Sequence, residues 1–82
     1  MVYRFEVKEV AVKKGALSAG DRRDLMEYLA SMTVEAADGK KAFRAMADHS
    51  NAVLNRGATD EEASMTFPDY GGCRITLAAV TV

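Results

Sequence analysis

A chain of 82 residues, 49% hydrophobic and 28% charged, holds one domain and has the composition of a globular protein. Its formal net charge of −1 and pI near 5.7 argue against a general nucleic-acid binder, which carries a basic excess. The single cysteine, Cys73, excludes an internal disulfide, and with one histidine, His49, the chain falls short of the usual zinc ligand set. No apolar run reaches the roughly 18 residues that span a bilayer. Charges interrupt Met1-Val2-Tyr3-Arg4-Phe5-Glu6 at once, so neither a signal peptide nor a membrane segment is expected and a cytoplasmic setting fits best.

The first element alternates. Tyr3, Phe5 and Val7 point one way while Arg4, Glu6 and Lys8 point the other, as in a half-buried strand. After Lys8-Glu9 the phase shifts by one residue, and Val10 and Val12 become the apolar pair, which predicts a β-bulge or bend. Lys13-Lys14-Gly15 closes the strand.

Ser18 is a good N-cap, with Asp21 as a shortened capping-box acid. Leu25, Tyr28, Leu29, Met32 and Ala36 then recur at helical spacing, and Arg23 and Glu27 are placed for an i,i+4 ion pair. Asp38 caps a second helix whose stripe runs through Phe43, Met46, Ala47, Ser50, Val53 and Leu54, with Gly57 as its C′ residue. Two such helices read as an αα-hairpin. Thr59-Asp60-Glu61-Glu62 is a further capping-box string that predicts one more helical turn. Ser64 to Phe67, the turn Pro68-Asp69-Tyr70-Gly71-Gly72 and the long run Cys73 to Val82 form a β-hairpin. In its second strand Cys73, Ile75, Leu77 and Ala79 share the core face.

These elements predict one α+β domain over residues 1–82, ordered β-α-α-β-β. The predicted sheet is mixed and three-stranded, in order 2-3-1, with the αα-hairpin packed on one face. The longest apolar strand takes the centre, parallel to the first strand. Val10, Val12, Val80 and Val82 are then expected on the uncovered face. An uncovered apolar patch marks an interaction surface, and a symmetric homodimer through the sheet is the most economical way to cover it.

Candidate chemistry is sparse. His49 and Cys73 are the only possible thiol–imidazole pair, but the cysteine reads as a small buried hydrophobe. Asp60, Glu61, Glu62 and Asp69 lack the alternating spacing of a calcium loop. Gly71-Gly72 precedes a strand rather than the helix that a phosphate loop requires, so these are turn glycines. The basic pairs Lys13-Lys14, Arg22-Arg23 and Lys40-Lys41 are expected at different places on the surface, which weakens a nucleic-acid reading. No catalytic, metal or cofactor residue is expected. The interface candidates are Val10, Val12, Val80, Val82 and Tyr70, an aromatic residue at a turn tip.

The reading is a non-enzymatic protein–protein interaction module, a regulator, inhibitor or accessory subunit acting as a homodimer on a protein partner. The alternative is a small enzyme or ligand-binding domain with a pocket near Tyr28, Asp48 and His49, completed across a dimer interface. Nucleic-acid binding comes third.

Overall fold

A computed structural model describes residues 1–13 and 17–82. Lys14 and the closing turn expected at Gly15 lie outside the described residues. The elements are β1 (Val2–Ala11), α1 (Ala19–Ser31), β2 (Thr33–Glu35), α2 (Gly39–His49), β3 (Val53–Leu54), β4 (Glu62–Phe67), a 3-10 turn (Pro68–Tyr70) and β5 (Cys73–Thr81). The sheet is five-stranded, in order β2-β1-β5-β4-β3, and every neighbouring pair is antiparallel. This corrects the expected three-stranded mixed sheet of order 2-3-1 and the αα-hairpin that came with it.

Two short strands account for the difference. Met32 and Ala36 fit the helical period of α1, but with Val34 they also fit a period of two. The β-branched pair Thr33-Val34 resolves the ambiguity toward extended backbone. Ser31 Oγ donates to the Tyr28 carbonyl at 2.9 Å, helping to close the helix, and Met32 is already extended. Val34 then pairs with Tyr3.

The second helix also stops early. It ends at His49 instead of running through Leu54 to Gly57. Asn51 takes a left-handed φ of 51°, and Ala52 N–H donates to the Ala47 carbonyl at 2.9 Å. That six-to-one bond is the signature of a Schellman motif. Asn51 tolerates it because its short polar side chain offsets part of the left-handed cost. Val53 and Leu54, freed from the helix, pair with Thr66 and Met65. With a strand after each helix the chain makes more passes along the sheet than an αα-hairpin allows, and β5 meets β1 antiparallel. The string at Thr59 forms a tight turn into β4 rather than a helical turn, its Oγ1 accepting from the N–H groups of Glu61 and Glu62 at 3.2 and 3.0 Å.

The caps are as the side chains dictate. Ser18 Oγ accepts from Asp21 N–H at 3.1 Å, and Asp38 Oδ1 from Lys41 N–H at 2.8 Å. Leu25 and Leu29 of α1 and Phe43, Met46 and Ala47 of α2 are buried against one face of the sheet. Tyr3, Phe5, Met65, Phe67, Ile75 and Leu77 supply the sheet side of that core.

The bulge lies where the phase shift placed it, between Val7 and Glu9. Its effect is the reverse of the expectation for Val10 and Val12. The extra residue absorbs the phase shift, so Val10 pairs with the buried Ile75, and Val10 and Val12 pack against the core. The bulge keeps Val10 on the same helix-covered face as Tyr3, Phe5 and Val7. Opposite them the open face carries charged and hydroxyl side chains, among them Arg4, Glu6, Ser64, Thr66, Arg74 and Thr76. Arg4 and Glu6 form an ion pair at 3.7 Å there, and Asn55 Nδ2 donates to Ser64 Oγ and Thr66 Oγ1 at 3.1 and 3.2 Å. No ion pair joins Arg23 to Glu27 among the described residues.

Cys73 sits in this core at 2% exposure. Burial pushes its thiol above the ordinary value of 9.0, and a backbone hydrogen bond opposes the shift more weakly. The folded protein is therefore expected to react with a thiol-specific reagent only as fast as it opens. Because the unfolded thiol ionises at a lower pH than the buried one, stability should fall as pH rises above about 9 through the folded value. One fast-reacting thiol equivalent in native buffer would contradict this placement.

Candidate functional site

A cleft of about 530 Å³ opens at one end of the helical layer. Three elements build it. The first is a single stripe of α1, Asp21, Leu25 and Tyr28, at spacings of four and three that put all three on one face. The second is the end of α2 with its Schellman turn, which contributes His49, Ser50 and Asn51. The third is the end of β4 with the 3-10 turn, which contributes Phe67, Asp69 and Tyr70. Leu25 and Phe67 are both almost fully buried, so the floor is apolar and the rim polar. Leu25 and Phe67 back the cleft but present little surface, and its accessible lining is polar and tyrosyl.

Two hydrogen bonds tie the three walls together. Tyr28 Oη and Ser50 Oγ lie 3.1 Å apart and join α1 to the end of α2. Asn51 Nδ2 donates to Asp69 Oδ2 at 3.0 Å and joins the end of α2 to the 3-10 turn. The left-handed backbone that ends α2 thus also aims Asn51 at Asp69. Pro68 at the start of the turn and the left-handed Gly71 and Gly72 at its end (φ 69° and 70°) hold Asp69 and Tyr70 in place.

Among the described residues the cleft is lined by the chain's single histidine and two of its three tyrosines, with two carboxylates and no lysine or arginine. Its charge is therefore negative. Asp21 N–H bonds Ser18 Oγ, but its shorter side chain does not complete the capping box, and the Asp21 carboxylate accepts no hydrogen bond among the described residues. No side-chain hydrogen bond among the described residues links His49 to Ser50, Tyr28 or either carboxylate. A nucleophile activated by an oriented base needs such a link. No group of three His, Cys, Asp or Glu side chains suited to a metal ion occurs among the described residues.

Of the expected interface residues, Tyr70 lies in this cleft, while Val10 and Val12 pack against the core. Val80 and Val82 are on the open face as expected. They are joined there by Val2, which the alternation did not single out, whereas Met1 lies on the other side, its sulfur against the Tyr3 hydroxyl at 3.8 Å. Val82 N–H donates to the Val2 carbonyl at 2.9 Å, and Val2 and Val82 are both exposed. Tyr28 and His49 do share a pocket, but Asp48 does not line it.

Of the acids in the string at Thr59, Asp60 serves the backbone through its side chain. Asp60 Oδ1 accepts from Lys40 N–H at 3.1 Å at the start of α2. Lys40 and Lys41 share a shallow depression with Arg44, and Lys13 shares another with Arg74. Sequence reasoning missed Asp21, Ser50 and Asn51 as site residues. The 21/25/28 spacing was a usable signal for the first, whereas the other two depend on where α2 ends.

The architecture is that of a small α+β domain with helices on one face of an antiparallel sheet and a polar cleft at one end. No helix of the described residues is long and apolar enough to cross a membrane. No family model matches the chain, and no curated protein or solved structure is significantly similar to it.

Proposed function

We propose that this chain is a non-enzymatic interaction module that binds a segment of another protein in the cleft between α1, the end of α2 and the 3-10 turn. The observation that carries the reading is the make-up of that cleft. Tyr28, 39% exposed, and the half-buried Tyr70 flank an apolar floor. Tyrosine in such a position supplies large contact area with little entropy to lose, the character of a binding hot spot. The polar groups bond one another into a fixed rim rather than into a proton-transfer pair, which favours recognition over chemistry.

Selection of a random-peptide library on the immobilised protein tests this. Peptides are expected to be retained, and Tyr28→Ala or Tyr70→Ala should weaken them by at least about tenfold, the effect of losing an aromatic anchor. Retained peptides indifferent to both substitutions, or an empty selection, would overturn the reading.

A second reading, self-association through the sheet, is favoured by the open-face corner of Val2, Val80 and Val82. This differs from the patch expected from the sequence, since Val10 and Val12 do not contribute. Sedimentation over a range of concentrations tests it. A dimer abolished by Val80→Lys supports it, and a monomer throughout removes it.

A further inference from the structure

We infer that the group the cleft takes from its partner is the guanidinium of an arginine side chain; the inference rests on the interaction-module reading and specifies its ligand. The first argument is charge. Asp21 and Asp69 line the cleft, and among the described residues no lysine or arginine does. Among the described residues neither carboxylate has a cation within ion-pair distance. Anionic ligands are repelled there, and a cation is attracted more strongly than in open water because the cleft has low-dielectric walls backed by Leu25 and Phe67.

The second argument is the kind of cation. Asp69 uses Oδ2 to accept from Asn51, which leaves Oδ1 to receive a donor. Asp21 stands on a different element. A guanidinium presents a planar fork of five N–H donors and so reaches two separate acceptors at once, which a compact, strongly hydrated ammonium does less well. Tyr28 and Tyr70 border the same space, and arginine is the cation that most often pairs with aromatic rings. The aliphatic stem of arginine can lie against the rings of Tyr28 and Tyr70, the accessible apolar surface of the cleft, while its head stays at the polar rim. At about 530 Å³ the cleft has room for this side chain together with the backbone that carries it.

Amide-shift titration of the isotopically labelled protein with N-acetyl-arginine N-methylamide tests the inference, with the citrulline analogue as a neutral near-isostere and the lysine analogue as the other cation. The arginine compound is expected to shift residues of α1, the α2 end and the 3-10 turn with millimolar affinity. The citrulline compound should bind at least about tenfold more weakly, and the lysine compound should fall between them. Asp21→Asn should weaken arginine binding severalfold while lowering the thermal midpoint by no more than several degrees, the share of a first-turn carboxylate in the helix dipole. Asp69→Asn should weaken it as well, and comparison of the two separates loss of charge from disturbance of the Asn51 bond. Citrulline binding equal to arginine, lysine binding tighter than arginine, or no shift with any compound at about 50 mM would overturn the inference. Selected peptides that occupy the cleft without an arginine anchor also overturn it, and they leave the interaction-module reading intact.

Discussion

Gly39→Ala is expected to destabilise the protein by about 2–3 kcal/mol, although it replaces glycine in a helix by the best helix former. Gly39 is the first residue of α2 and is buried. A Cβ built there falls on the backbone carbonyl of Asp60. That carbonyl cannot swing aside, because the Thr59 hydroxyl pins the turn through Glu61 and Glu62 and Asp60 Oδ1 is bonded to Lys40 N–H. The propensity gain is at most about 1 kcal/mol and is smaller at a helix terminus, so the overlap wins. The thermal midpoint should drop by roughly 10–20 °C in a domain of this size. Gly20→Ala is the matched control. In the first turn of α1 an added Cβ meets nothing nearer than Ser18 Oγ at 4.0 Å, and the same substitution there should be neutral or slightly stabilising. Equal effects at the two positions would show that the turn at Asp60 does not lie against α2.

Phe43→Ala should be larger still. Phe43 is fully buried on α2, and its ring centroid lies 5.7 Å from that of Phe5 on β1, in a tilted pair. Truncating a buried phenylalanine costs about 3–5 kcal/mol. A chain of this length has roughly 4–12 kcal/mol of stability at 0.05–0.15 kcal/mol per residue. The variant is expected to lose most of its cooperative unfolding transition in urea. A midpoint lowered by less than about 0.5 M, with urea slopes near 1–3 kcal/mol per M, would mean that α2 is not the element holding β1 in the core.

How much of this was legible beforehand differs from element to element. The hairpin of β4 and β5 could be read because Cys73, Ile75, Leu77 and Ala79 alternate cleanly and two glycines close the turn before them. The bulge could be read as well, from the shift between Val7 and Val10, yet its consequence was inverted. A phase change in the sequence looks like a change of face, whereas the bulge is what prevents one. The strands β2 and β3 were not legible, because three and two residues are too short to show a period. Both were absorbed into the stripes of the helices before them. Where each helix stops depends on Ser31 bonding back to Tyr28 and on Asn51 accepting a left-handed backbone, choices settled by local hydrogen bonds rather than by hydrophobic spacing.

The cleft inherits that dependence. Tyr28 and His49 could be suspected of sharing a pocket from the sequence alone, since Tyr28 lies in the apolar stripe of the first helix and His49 flanks that of the second. Asn51 and Ser50 enter only because α2 ends at His49, and Asp69 is held only because Asn51 then reaches it. The uncovered apolar face that first suggested an interaction surface has contracted to a corner at Val2, Val80 and Val82. Short edge strands also blunt the ends of the sheet. The surface with the most recognition chemistry is therefore at the end of the helices, away from the open face.

The most direct test of that claim is the amide-shift footprint of a peptide selected on the folded protein. The account predicts changes concentrated at Asp21 to Tyr28, His49 to Asn51 and Phe67 to Tyr70. A footprint centred on Val2, Val80 and Val82 would contradict it and return the binding surface to the sheet.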